Sequence, residues 1–205
     1  MYIVGLFIVT VGIAIAVKSD MGVSPASSIP YTITCITGLE MGLATMIFHT
    51  FLVLIQVIIL RKKFKPISVL QIPVGVLFGL FTTFSNSVAA NIITTPESIW
   101  LKLLMVLVSM VIIAIGLFFY VPANIMPLAV EGTAKTVSDI TGKAFSTFKT
   151  LGDVLYVALS LVACVIVLHS PGSVGVGTVI SAVGVGQTLG VLNKLFGKYR
   201  DRLIK

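Results

Sequence analysis

The chain has 205 residues, 57% of them hydrophobic and 10% charged, with a mean hydropathy of +1.13 and a formal net charge of +7. A composition this apolar excludes a soluble globular domain as the bulk of the chain. At roughly 20 apolar residues per crossing there is room for about six to eight membrane segments and none for a second domain, so residues 1–205 read as one integral membrane domain.

In chain order, the first apolar run is Tyr2 to Val17. It has no basic n-region and no cleavage site, so it reads as a first span rather than a signal peptide, and the absence of any lead ahead of it raises the expectation of a few natural residues before Met1. Gly22 to Thr37 follows and is different in kind, being loaded with Ser, Thr and Pro. Spans are then expected over Gly42 to Leu60, Ile67 to Ala90 and Ile99 to Val121. Asn124 to Gly142 is a second polar segment with three charged side chains, and Lys149 to Leu168 and Val174 to Val191 complete the spans. Pro25 and Pro30 interrupt the first polar segment, and Pro122 and Pro127 open the second. Backbone freed by proline survives in lipid only where protein or a watery cavity surrounds it, so both polar segments should be central.

Nine of the 14 basic residues form two knots, Arg61, Lys62, Lys63 and Lys65 between spans, and Lys194, Lys198, Arg200, Arg202 and Lys205 at the C-terminus. Such clusters are cytoplasmic anchors more simply than nucleic-acid contacts. Placing both knots on one side needs an even number of crossings between them. If both polar segments re-enter, three full crossings remain in each half and both termini are cytoplasmic. The competing arrangement, eight full spans with a parallel repeat, strands one knot outside.

A shift of 104 residues lays Gly12, Val17, Thr37 and Gly38 on Gly116, Val121, Thr141 and Gly142. Asp20 falls on Asn124 and His49 on Asp153; after a three-residue slip Gly79 meets Gly186 and Asn86 meets Asn193. The expected fold class is therefore an all-α polytopic membrane helix bundle of about six spanning helices plus two broken or re-entrant segments. It would comprise two internal, inverted repeats, about 1–95 and about 96–205.

Ionisable groups inside membrane segments are costly unless paired or hydrated, which makes them the sharpest functional signal. Glu131, Lys135, Asp139 and Lys143 follow at i, i+4 spacing, and Lys149 and Asp153 repeat it. They either line a substrate or proton cavity or neutralise one another as structural pairs. On the first polar segment the candidates are Asp20, Ser24, Ser27, Ser28, Tyr31, Thr32 and Thr34, whose hydroxyls either satisfy loosened backbone or bind a small polar ligand. His49 reads as an interior histidine raised in interest by its repeat partner Asp153, and Asn124 by its partner Asp20. Gly75 with Gly79 and Gly186 with Gly190 form GxxxG pairs suited to close helix approach, which also allows a homodimer. Val174 to Thr178, Val-Gly-Val-Gly-Thr, lacks the Lys of a nucleotide loop. Cys35 and Cys164 read as packing thiols. The sequence has no GxSxG elbow, HExxH or Cys/His cluster at ligand spacing, so no catalytic, metal or cofactor site is expected.

Gly12, Val17 to Pro25, Thr37-Gly38, Gly42, the Lys149 to Asp153 pair, and Val174 to Thr178 with Gly186 together resemble the YczE/YyaS/YitT family of bacterial membrane proteins over essentially the whole chain. Ala26-Ser27 departs from the Trp-Asp that many members carry after the proline, and Phe81-Thr82-Thr83 lacks the aspartate relatives often place at the end of that span. The resemblance implies a bacterial inner-membrane location and names no substrate. The residues themselves favour a permease or exporter of a small molecule bound between the two polar segments. The alternative is a non-transporting binding or accessory subunit of a larger complex.

Overall fold

A computed structural model describes residues 1–61 and 64–204, with side chains as far as Asp201. Lys62, Lys63, Lys205 and the Arg202 side chain, all in the basic knots, lie outside the described residues. Among the described residues the chain forms eight α-helices and no strand: α1 (Tyr2–Ser19), α2 (Pro25–Thr37), α3 (Met41–Leu60), α4 (Gln71–Ile92), α5 (Ile99–Tyr120), α6 (Ala129–Thr141), α7 (Phe145–Leu168) and α8 (Val176–Ile204). Short 3-10 turns at Pro66–Leu70 and Val121–Ala123 precede α4 and follow α5.

Among the described residues six helices are long and apolar enough to cross a bilayer: α1, α3, α4 with its 3-10 turn, α5 with its turn, α7 and α8. The chain is a polytopic membrane bundle. Helices α2 and α6 have 13 residues each, about 20 Å at ~1.5 Å per residue. That is short of the ~30 Å hydrocarbon core.

The local signals that bound these two short helices are alike. Helix α2 begins with Pro25 in its first turn, where the missing N–H costs nothing, and ends at Gly38 with φ 73°. Helix α6 ends at Gly142 with φ 70°. Both follow a left-handed non-glycine residue, Asp20 (φ 54°) and Asn124 (φ 46°). Every one of these landmarks recurs 104 residues later, as do the first residues of α3 and α7.

Pro30 does not interrupt its segment as the sequence predicts. It lies inside α2, which runs on through it. The hydroxyls of Ser28, Thr32 and Thr34 donate to the carbonyls of Pro25, Ser28 and Pro30 at 2.7, 2.8 and 3.2 Å, the usual back-bonds of Ser and Thr in a helix; none of these is the Ala26 carbonyl that Pro30 leaves without its N–H. Neighbouring helices cover the segment, with Pro30 itself buried.

Helix directions follow from which residues meet. Gly5 packs on Gly116 and Tyr120, and Gly12 on Ser109 and Ile113, so α1 and α5 are antiparallel. Gly42 meets Gly79 and Thr83, Gly75 meets His49, and Gln56 meets Gln71, so α3 and α4 form an antiparallel pair. Phe7 stacks on Phe81 while Thr10 bonds Ser85 at 2.9 Å, so α1 and α4 run the same way. Val106 approaches Gly177 and Met110 approaches Gly184, while Arg200 lies 4.6 Å over the Phe118 ring, so α5 and α8 also run together. With α1 and α4 opposed to α3 and α5, helix α2 must leave by the face it enters; a full crossing there would make α1 and α5 parallel. The start of α1 and the ends of α3, α5 and α8 consequently share one face.

The crossing of α1 and α5 is glycine on glycine. A Cβ at Gly5 would stand 2.8 Å from the Gly116 carbonyl oxygen, and one at Gly116 would stand 2.8 Å from the Gly5 carbonyl oxygen. Around it Tyr2, Leu6, Val9, Ile13, Met41, Phe78, Ile113, Tyr120 and Leu128 form the principal buried cluster. Exchanging residues at the 104 offset turns the contact of Gly5 with Gly116 into that of Ser109 with Gly12, which is also present.

Candidate functional site

The first turns of α2 and α6 face the same cavity, of about 390 Å³. Ser24 and Ser27 come from α2, Glu131 from α6, His49 from α3, Lys149 and Asp153 from α7, and Ser181 from α8. Apolar residues including Val9, Ile13, Phe78, Ile113 and Leu117 make the rest of the wall. The volume falls in the lower part of the range for small-molecule pockets, ~300–1,000 Å³. Residues 104 apart recur across it: Val9 with Ile113, Ser27 with Glu131, and His49 with Asp153.

Both half-helices are held at their N-terminal ends by distant parts of the chain. Before α6, the Tyr2 hydroxyl donates to the Met126 carbonyl at 2.6 Å and the Leu128 N–H donates to the Tyr120 hydroxyl at 2.5 Å. Behind α6 the buried Gln56 and Gln71 amides bond reciprocally at 2.9 and 3.2 Å, and Gln56 also donates to the Ala129 carbonyl at 3.3 Å and the Thr133 hydroxyl at 3.2 Å. Before α2, the Val23 N–H donates to the Ser173 carbonyl at 3.3 Å and the Gly177 N–H to the Met21 carbonyl at 2.8 Å. Thr32 and Ser173 share a hydroxyl contact of 2.5 Å beside Cys164. The Val-Gly-Val-Gly-Thr run is therefore a packing device: Gly175 and Gly177 lie against Met21 and Gly22 with no room for a Cβ.

Within the cavity Lys149 and Asp153 form an ion pair at 2.6 Å, each side chain a little over a quarter exposed. Glu131 Oε2 and His49 Nδ1 are sealed from solvent and have no hydrogen-bond partner. His49 is 3% exposed. Groups of this kind normally find partners, and Glu131, on the cavity wall, is the one whose free oxygen a bound ligand or water could meet.

Of the sequence candidates, Ser24, Ser27, His49, Glu131, Lys149 and Asp153 meet here, and the others do not. Asp20 lies outside, pairing with Lys102 at 3.0 Å with its side chain 68% exposed. Asn124 and Lys135 are exposed, Ser28 is buried on the far side of α2 donating to its own helix, and Tyr31 packs against the principal apolar cluster. Asp139 and Lys143 are exposed too, so of the expected stripe on α6 Glu131 alone faces inward. Sequence reasoning missed Gln56, Gln71, Tyr120 and Ser181. The two glutamines, isolated amides in apolar runs, carried the signal.

The cavity is closed toward the N-terminal half and open toward the C-terminal half. Gly42 and Gly79 pack α3 directly on α4. On the other side Thr150, Ala182 and Gly186 are exposed, and nothing lies within 4 Å of where a Cβ would stand at Gly186 or Gly190.

Residues 1–194 match the family of unknown function DUF6198. The chain is also similar to the uncharacterized protein YyaS of Bacillus subtilis (strain 168), 21% identical over 197 residues that cover 93% of this chain and 89% of that protein. YyaS is one of the three names in the resemblance drawn from the sequence. No solved structure matches.

Proposed function

We propose that this chain, which belongs to the family of unknown function DUF6198, is a bacterial membrane transporter of a small molecule, built as two inverted repeats around one central site. The observation that carries the reading is the convergence of two half-helix N-termini on a 390 Å³ cavity holding Glu131, Lys149, Asp153 and His49. Broken or half-length helices that present their ends to a midplane cavity are a recurrent way of binding solutes in transporters. The common face of the N-terminus, Arg61 and Arg200 supports cytoplasmic termini, since positive loops stay inside.

The asymmetry of the cavity supports alternating access. Closure of α3 on α4 runs through Gly42 with Gly79 and Thr83; the corresponding positions in the second half are Ser146 with Gly186 and Gly190, which stand apart. Exchange of the two arrangements would close α7 on α8 and release α3 from α4, exposing the site to the other face.

Single-cysteine labelling tests this without a known substrate. With Cys35→Ser and Cys164→Ser as background, Ser27→Cys should react with a membrane-impermeant maleimide from both faces in oriented vesicles. Joining Thr150→Cys to Gly186→Cys by oxidation should abolish labelling from one face and leave the other. Labelling confined to one face in both conditions would overturn transport and leave a binding or accessory subunit.

A further inference from the structure

The two halves lay out the cavity symmetrically but furnish it unequally. Ser27 and His49, both neutral, occupy in the first half the places that Glu131 and Asp153 occupy in the second. The acidic and basic side chains of the cavity wall are then Glu131, Asp153 and Lys149, with the His49 imidazole among them. Lys149 is committed to Asp153 at 2.6 Å, and Glu131 keeps an oxygen that is buried and unpartnered. A buried carboxylate oxygen without a donor is a costly arrangement.

Resting on the transporter reading above, we propose that the ligand of this cavity carries a protonated amine on an apolar body, with the ammonium against Glu131. The apolar body would lie along Val9, Ile13, Phe78 and Ile113, which share the cavity wall. Ser24 and Ser27, in the first turn region of α2, offer hydroxyls on the same cavity wall to a second polar group of the ligand. The first turn of α2 holds no acidic residue, whereas Glu131 lies in the first turn of α6. A positive helix end thus faces the neutral half of the cavity and a carboxylate the other. That polarity also admits an amine bearing a carboxylate, its anionic end on α2; both share the ammonium.

Thermal unfolding of the purified, detergent-solubilised protein tests the assignment with four compounds of one shape: phenethylamine, phenylalanine, 2-phenylethanol and phenylacetate. The expected result is a rise of about 3–6 °C at ten times the dissociation constant for phenethylamine, phenylalanine or both, and none for the alcohol or the acid. Phenethylamine alone marks a simple cation, phenylalanine alone an amino-acid-like ligand. The Glu131→Gln protein should lose the response while Asp20→Asn, outside the cavity, keeps it. A shift with phenylacetate or 2-phenylethanol, or with neither amine, overturns the proposal, as does an undiminished amine shift in Glu131→Gln. Amine binding together with one-sided cysteine labelling would keep this assignment and remove transport.

Discussion

Gly116→Ala probes the contact on which the two halves cross. A methyl group there would stand 2.6 Å from the Val9 backbone nitrogen and 2.8 Å from the Gly5 carbonyl oxygen, where ordinary contact begins at 3.4 Å. Neither obstacle is a side-chain tip that can swing away, so α1 and α5 must part by roughly 0.5–1 Å, which forfeits a quarter to a half of each dispersion contact along the seam. Overpacking of this kind costs about 1–3 kcal/mol, offset by up to about 1 kcal/mol from the better helix propensity of alanine. The net expectation is a loss of about 1–2 kcal/mol. Gly190→Ala is the matched control, since nothing lies within 4 Å of its Cβ position, and it should be neutral or stabilised by up to about 1 kcal/mol. Reversible unfolding by SDS in mixed micelles, followed by circular dichroism, measures both. Equal stability of the two variants would refute the account of the crossing. Adding Gly5→Ala to Gly116→Ala should cost less than the sum of the single changes, because one opening serves both methyl groups.

Other parts of the structure make separate predictions, each read by the same unfolding assay. Gln71→Leu leaves the buried Gln56 amide without its reciprocal partner and should cost about 1–3 kcal/mol. Adding Gln56→Leu should recover part of that loss, and an additive double variant would count against a coupled pair. Gly38→Ala meets no atom within 4 Å but keeps φ at 73°, so about 1–2 kcal/mol of loss should come from backbone conformation alone. Asp20→Asn removes an ion pair whose carboxylate is 68% exposed and should change stability by less than about 1 kcal/mol, less still at high salt.

The spans were readable because lipid imposes a simple rule on length and polarity, and the six long helices fall on the six apolar runs. The half-helices were readable from their hydroxyls and prolines, though Pro30 lies within a continuous short helix, sheltered by the helices packed around it. The polar residues divided by helix face, which position in sequence does not reveal until the neighbours are known. Ser27 faces the cavity and adjacent Ser28 faces away; Glu131 faces it and Lys135, one turn on, is exposed. Asp20 and Asn124 matched at the 104-residue shift for a backbone reason: both sit in the left-handed conformation that ends a helix, which Asp and Asn tolerate better than other side chains. Their alignment recorded a turn rather than a ligand contact.

The fastenings of the two half-helices differ in when they become available. The approach to α6 is held by Tyr2 and Tyr120, both synthesised before it. The approach to α2 is held by Ser173 and Gly177, some 150 residues downstream. As the chain emerges from the ribosome N-terminus first, the second short helix finds the partners of its approach waiting, whereas the first packs early on α3 but its approach waits for Ser173 and Gly177. The turn that leads into the earliest polar segment thus takes its final hydrogen bonds from one of the latest stretches to be made.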